Sequence, residues 1–184
     1  IWTTKGDEAG YSSAVIQKSG DVTQAIFFTG SRVMGVDVSS GRELWSYSPV
    51  ANRTANIATP IVRGNRVFVS SDYGTGAALL DLTTSGNNVS AKEVYFTRQM
   101  RNHHATSILV GDYLYGFSSA ILTAMKFDTG DIAWQDRSVG KGSLTFADDR
   151  LYLYSEGGVV GLAEATPAGY REHGRFELKT GRLP

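Results

Sequence analysis

Apolar and polar residues alternate along short stretches of this chain, and the stretches recur in a regular order. Gly64-Asn65-Arg66-Val67-Phe68-Val69, Gly111-Asp112-Tyr113-Leu114-Tyr115-Gly116-Phe117 and Asp148-Asp149-Arg150-Leu151-Tyr152-Leu153-Tyr154 each follow a period of two. They are rich in β-branched and aromatic residues and are led in by Gly, Asn or Asp, the signature of strands joined by hairpin turns. No stretch of ten or more residues places apolar positions at i, i+3, i+4 and i+7, so helices are rejected as the building unit. The alternation predicts four groups of four strands: 12–17, 23–29, 32–38 and 43–48; then 59–63, 66–71, 77–82 and 92–97; then 106–110, 113–118, 122–127 and 132–136; and last 143–147, 151–155, 159–164 and 170–178.

The groups are copies of one unit. Gly35-Val36-Asp37-Val38-Ser39-Ser40-Gly41-Arg42-Glu43-Leu44-Trp45 aligns with Ala124-Met125-Lys126-Phe127-Asp128-Thr129-Gly130-Asp131-Ile132-Ala133-Trp134, and a lone Trp2 opens the chain. Trp2 and Trp45 are 43 residues apart; Trp45 and Trp134 are 89 apart, two periods of about 44. The middle copy is expected to end near residue 89 or 90, at Leu79-Leu80-Asp81-Leu82-Thr83-Thr84-Ser85-Gly86, longer by a loop and without the tryptophan. A fourth, divergent copy is Gly161-Leu162-Ala163-Glu164-Ala165-Thr166-Pro167-Ala168-Gly169-Tyr170. Four antiparallel strands per unit in radial repetition make an all-β fold, a β-propeller with about four blades present. We expect blades at 5–50, 51–99, 100–138 and 139–184 of a single partial propeller, with 1–4 as the outer strand of a preceding blade. In the Gly-x-x-x-Trp unit, Gly41 and Gly130 turn the chain between the third and fourth strands. The indole four residues on is expected to pack against a neighbouring blade; Trp2, Trp45 and Trp134 are thus structural anchors rather than catalytic groups.

Composition narrows the function. Eighteen Lys+Arg balance eighteen Asp+Glu, which argues against a partner covered in phosphate, nucleic acid above all. With no cysteine the chain has no disulfide framework, thiolate metal site or thiol nucleophile. Its apolar runs are too short to span a bilayer as a helix. The 21 glycines and only 4 prolines suit many turns between ladders that need N–H donors.

The segments ending at Trp45 and Trp134 resemble the tryptophan-docking motif of the quinoprotein-type, or PQQ-like, β-propeller repeats. Lys5-Gly6-Asp7-Glu8-Ala9-Gly10-Tyr11-Ser12-Ser13, Asn102-His103-His104 and Glu164-Ala165-Thr166-Pro167-Ala168-Gly169-Tyr170 are similar to an uncharacterised, exported bacterial branch of that family. The resemblance covers essentially the whole chain. It implies a periplasmic or secreted location and a ring of seven or eight blades. The chain is therefore read as a fragment of a longer one, with 179–184 stopping where another inner strand would begin; a half-propeller that pairs with a second copy is the alternative. The family includes both quinone-dependent alcohol dehydrogenases and a non-enzymatic lipoprotein of the outer-membrane barrel assembly machinery, so the resemblance leaves activity open.

Loops on a rigid scaffold are where chemistry gathers. In a propeller the connections from fourth strand to next first strand converge at one mouth of the channel. That places Asp7, Glu8, Tyr11, Asn56, Arg101, Asn102, His103, His104 and Lys141 as candidate ligand-binding residues. His103 and His104 are expected to point in opposite directions, as neighbours in an extended segment do, with Asp7 or Glu8 the nearest acids by topology. A hydrogen-bonded loop role, a ligand contact, a general base and a metal ligand all remain open for them. A quinone dehydrogenase would carry PQQ beside calcium, but no calcium-ligand set can be aligned here and the vicinal disulfide over the quinone has no cysteines. No cofactor is expected in this segment. Gly74-Thr75-Gly76 and Gly157-Gly158 lie in turns and open no helix, so they do not read as phosphate cradles. The preferred reading is a binding or scaffold module for a protein, peptide or small molecule at the mouth, and the alternative is a quinoprotein-type oxidoreductase.

Overall fold

The computed structural model describes residues 2–4 and 6–178. They form sixteen strands and no helix, arranged as four sheets of four consecutive antiparallel strands. The first sheet is β1 (Val15–Ser19), β2 (Val22–Phe28), β3 (Val33–Asp37) and β4 (Glu43–Tyr47). The second is β5 (Ile61–Arg63), β6 (Arg66–Ser71), β7 (Gly76–Ser85) and β8 (Asn88–Thr97). The third is β9 (Ile108–Val110), β10 (Tyr113–Ser118), β11 (Ile121–Lys126) and β12 (Ile132–Asp136). The fourth is β13 (Gly142–Ala147), β14 (Arg150–Ser155), β15 (Val159–Glu164) and β16 (Glu172–Glu177). First strands of adjacent sheets touch, β1 with β5 and β9 with β13, as the inner strands of propeller blades do. This is the expected partial β-propeller. The segment 179–184, read as stopping before a further inner strand, lies outside the described residues, as do Ile1 and Lys5. Trp2–Thr4, expected as an outer strand, lie in no ladder, since no described strand runs beside them.

The core sits between blades because successive side chains of a strand face opposite ways. On β6, Val67 and Val69 face blade one with Ile26, Phe28 and Trp45, whereas Phe68 faces blade three with Leu114, Met125 and Phe127. On β10, Leu114 joins that second cluster, and Tyr115 and Phe117 join a third with Leu151 and Leu153 of blade four. The end blades are buried on one face only: Leu151 and Leu153 are fully covered, but Tyr152 and Tyr154 between and beyond them are about half exposed.

All four sheets carry a register shift at the same place between third and fourth strands, at Gly35/Val36, Leu79/Leu80, Ala124/Met125 and Leu162/Ala163. Such a bulge twists the outer strand and re-aims its side chains. Opposite the bulge stand Trp45, Tyr95 and Trp134, paired with Gly35, Leu79 and Ala124. The aromatic of the middle copy is therefore Tyr95, five or six residues later than the repeat period placed its end. The expected loop at 83–91 is instead continuous ladder, Thr83 pairing with Ser90 and Ser85 with Asn88.

Two of these rings, and Trp2 with them, reach forward to the next blade. Trp2 Nε1 donates to Val38 O, Tyr95 Oη to Phe127 O and Trp134 Nε1 to Thr166 O, each at 2.8 Å. Gly41 and Gly130, in left-handed turns at φ 74° and 76°, leave room for the rings arriving from the preceding strand, Trp2 and Tyr95. Trp45 is the exception, because in blade two the long β7–β8 hairpin carries the turn glycine, Gly86, away to its tip, where no ring meets it. Its Nε1 donates to Gln24 Oε1 inside its own blade at 2.7 Å. The hairpin makes the inter-blade link itself: Arg42 donates to Asn87 O and Asn88 Oδ1, and Thr84 Oγ1 meets Ser19 Oγ.

Candidate functional site

The loops that enter blades one, three and four are fastened to the turns between second and third strands. Gly30 N donates to Glu8 O, Ser119 N to Arg101 O and Glu156 N to Lys141 O, at 2.7–2.9 Å. Tyr11 N donates to Asn56 O and so joins the entry loops of blades one and two. Entry loops and these turns therefore form one surface at the mouth, and the candidate residues fall on it in two separate groups.

The first group lies over blades one and two. Asp7 accepts from Arg32 Nε at 2.5 Å, Arg32 Nη2 at 3.1 Å and Thr29 Oγ1 at 3.1 Å. The Arg32 hydrogen bonds hold its carboxyl below the ordinary carboxylate range, although partial burial opposes them. Asp7 and Glu8 also line a cavity of about 290 Å³ with Trp2, Phe27, Met34 and Val36, on the outward face of blade one. Tyr11 is 76% exposed. Asn56, expected at the mouth, is instead buried and fully used: Nδ2 donates to Thr29 O and Asn52 O, and Oδ1 accepts from Asn52. It ties two loops together.

Asn102 is likewise buried rather than presented. Its backbone N–H donates to Ser70 Oγ at 2.9 Å, Nδ2 donates to Phe117 O at 3.2 Å, and Oδ1 accepts from Ser107 Oγ at 2.9 Å. Arg101 N donates to Ser118 Oγ at 3.1 Å, and its side-chain Nε is buried without a hydrogen-bond partner among the described residues. These two residues anchor the loop whose tip carries the histidines.

The second group spans blades two, three and four. His103 Nε2 stands 2.9 Å from Tyr73 Oη, His103 Nδ1 stands 2.8 Å from His104 Nδ1, and His104 Nε2 stands 3.2 Å from Glu156 Oε1. Lys141 Nζ meets the same carboxylate oxygen at 3.0 Å. The two rings are on one side, contrary to the alternation expected of an extended segment, because residues 103–105 form a bend. The acid at the histidines is Glu156, and not Asp7 or Glu8, which belong to the other group. Tyr73 and Glu156 are not among the residues the sequence points to, because they lie in turns between second and third strands and not in the entry loops. Tyr73 is held at φ 56°, uncommon for a bulky residue. Lys141, through its hydrogen bond, holds the Glu156 carboxyl below its ordinary range. Burial, together with the charges of Lys141 and His104, holds His103 below the ordinary imidazole value. No group of three His, Cys, Asp or Glu gathers at a single point among the described residues.

The paired acids set an acid limit to stability. Asp7 is held low by Arg32; Asp128 is held low by hydrogen bonds from Arg63 and Arg66 against the opposing effect of burial. A carboxylate whose folded pKa is depressed stabilises fully above its unfolded value, about 4, and loses that contribution as pH falls through the folded value. Urea midpoints are expected to fall slightly between pH 7 and 5, where the depressed His103 makes the unfolded chain the better proton acceptor, and steeply below pH 4. Asp7→Asn is expected to cost about 1 kcal/mol or less at pH 7 and to flatten the acid slope. A midpoint unchanged from pH 5 to pH 3 would contradict this account.

Among solved structures the chain is similar to BamB from Moraxella catarrhalis, at 16% identity, 89% of this chain, 63% of that one and TM-score 0.46. It is also similar to the Myceliophteria thermophila Cps50 (Swd1) β-propeller domain, at 11% identity, 91% and 59% coverage and TM-score 0.59. A third is Kluyveromyces lactis Hsv2 with its complete loop 6CD, at 12% identity, 97% and 61% coverage and TM-score 0.64. The chain spans about three fifths of the length of these structures. The curated proteins contain no match. The family model for outer membrane protein assembly factor BamB matches residues 1–136. With most of its length covered by that model, and with the propeller blades described above, the chain belongs to the BamB-type family of PQQ-like β-propeller repeats.

Proposed function

We propose that this chain is a non-catalytic binding module that holds a protein or peptide across the propeller mouth, in the periplasm or outside the cell. The carrying observation is the second group at the mouth: Tyr73, His103, His104, Glu156 and Lys141 come from three blades, are solvent-accessible, and present donors and acceptors side by side. An extended peptide needs such a row of polar contacts on a rigid frame. The name of the matched family model, an assembly factor of outer membrane proteins, supports a protein partner and a periplasmic place. A quinone cofactor finds no support in the donor set: calcium takes six to eight oxygens, and Asp7 and Glu156 are already committed to Arg32 and to Lys141. We therefore read the segment as working without PQQ or calcium.

The test is selection of extended peptides against the immobilised full-length protein, followed by amide chemical-shift mapping. Selected peptides are expected to move residues 73, 103, 104, 141 and 156, and Lys141→Glu is expected to weaken them at least tenfold. PQQ with calcium is expected to give neither quenching nor dye-linked alcohol oxidation. Peptides that shift only the outer strands, or measurable turnover, would overturn the reading.

A further inference from the structure

The hydrogen-bond directions in the histidine pair can be worked out from one end. An ionised carboxylate only accepts, so His104 Nε2 must carry the proton facing Glu156. Neutral His104 then has a bare lone pair on Nδ1. Its neighbour at 2.8 Å, His103 Nδ1, must therefore donate. That leaves the lone pair of His103 on Nε2, where Tyr73 Oη–H donates. A single proton lies between two Nδ1 atoms that would otherwise repel, and both outer nitrogens are already fixed by partners.

This is the arrangement in which a metal ion replaces a proton. Ligating histidines are ordinarily held by a hydrogen bond from the other ring nitrogen to a carboxylate or another oxygen, which fixes tautomer and ring orientation. Glu156 does this for His104, and the Tyr73 oxygen does it for His103 once the His103 proton has moved to Nε2. Two Zn–N bonds of about 2.0–2.1 Å at a tetrahedral angle span roughly 3.3 Å, so a small opening of the 2.8 Å pair admits an ion. The frame supports it: buried Asn102 anchors the loop immediately before the histidines, and Tyr73 sits in a left-handed turn that few side chains adopt unforced. Imidazole nitrogen suits zinc, copper and nickel, and not calcium or magnesium.

We propose that His103 Nδ1 and His104 Nδ1 together bind one borderline divalent transition ion, of the zinc class, at the mouth, with water filling its remaining positions and Glu156 and Tyr73 orienting the two rings. The proton balance closes without release from the neutral pair. The proton leaves His103 Nδ1 and returns on Nε2, and Tyr73 turns from donor to acceptor. Lys141, sharing Glu156, and Asp72, which accepts from Ser119 Oγ, are the other charged groups near the rings. The ion site does not depend on what the mouth binds.

The chain has three histidines, and the third, His173, pairs with Glu164 away from the mouth, so histidine spectra are simple to read. Full-length protein, with ring nitrogens labelled with ¹⁵N, is titrated with zinc chloride by calorimetry and by long-range ¹H–¹⁵N correlation. Expected is saturable binding of one ion, with the Nδ1 signals of His103 and His104 shifted and His173 unmoved. His103→Ala and His104→Ala are each expected to weaken binding at least tenfold, and Glu156→Gln by about ten- to a hundredfold. His173→Ala should leave it unchanged, and circular dichroism of every variant verifies the fold. Lack of saturable binding, metallation at Nε2, or a His104→Ala variant that stays folded and binds like the parent would each overturn the proposal.

Discussion

Replacing Trp45 by alanine is expected to destabilise the protein by about 3–5 kcal/mol, in line with large aromatic truncations in a core. The indole is 6% exposed and belongs to the cluster between blades one and two. It also caps a buried polar chain: Trp45 Nε1 donates to Gln24 Oε1, Gln24 Nε2 donates to Gln17 Oε1, and Gln17 Nε2 donates to Gly64 O in blade two. Gly35 opens the space, since a Cβ there would lie 2.2 Å from Gln24 Oε1 and 2.3 Å from Trp45 Nε1. Removing the indole leaves both a cavity and a buried amide oxygen without its donor. Trp45→Phe separates the two: it keeps most of the packing and should cost only the orphaned oxygen, about 1–3 kcal/mol. Urea unfolding followed by circular dichroism measures both variants, with unchanged slope expected. A Trp45→Ala variant within about 1 kcal/mol of the parent would refute the role given to this residue.

The second large effect is expected at Asn102→Leu. The leucine keeps the branched shape, is somewhat larger and excludes water, so Ser107 Oγ loses its acceptor and Phe117 O its side-chain donor in a dry site. Each orphaned group costs about 1–3 kcal/mol. Gly116 adjoins the same space, a Cβ there falling 2.0 Å from Ser107 Oγ, so the surroundings cannot yield inward. Because Asn102 immediately precedes the two histidines, the variant should also separate them. Loss of stability is read by urea melts, and separation by loss of the slowly exchanging ring N–H that bridges them in long-range ¹H–¹⁵N spectra. Retention of both would show that the loop is held by something other than the Asn102 amide.

The class and count of blades were legible because a period-two pattern with a mid-forties repeat has few physical solutions, and second strands such as β6 and β10 add β-branched and aromatic residues buried on both faces. The position of the middle aromatic was not legible. A hairpin can lengthen by ladder as easily as by loop, and nothing in Thr83-Thr84-Ser85-Gly86-Asn87-Asn88 distinguishes the two locally. The direction of docking was hidden for a similar reason: the glycine and the indole lie only four residues apart in sequence, which concealed that Gly41 receives Trp2 and Gly130 receives Tyr95. At the mouth, residue type alone could not sort Asn56 and Asn102, which are buried ties, from His103, His104 and Lys141, which are presented. A signal for Tyr73 and Glu156 did exist: the repeat that superimposes entry loops also superimposes the turns beside them.

The forward reach of the rings has a consequence for how the chain is made. Each donor precedes its acceptor, by 36 residues for Trp2 and Val38 and by 32 for Tyr95 and Phe127 and for Trp134 and Thr166. On a ribosome, a blade's outer strand emerges with its anchor unattached and acquires its partner only when the third strand of the following blade has left the exit tunnel. Closure therefore trails synthesis by most of one repeat. The newest blade is always the least secured part of the nascent chain, and that interval is when a chaperone would have most to protect.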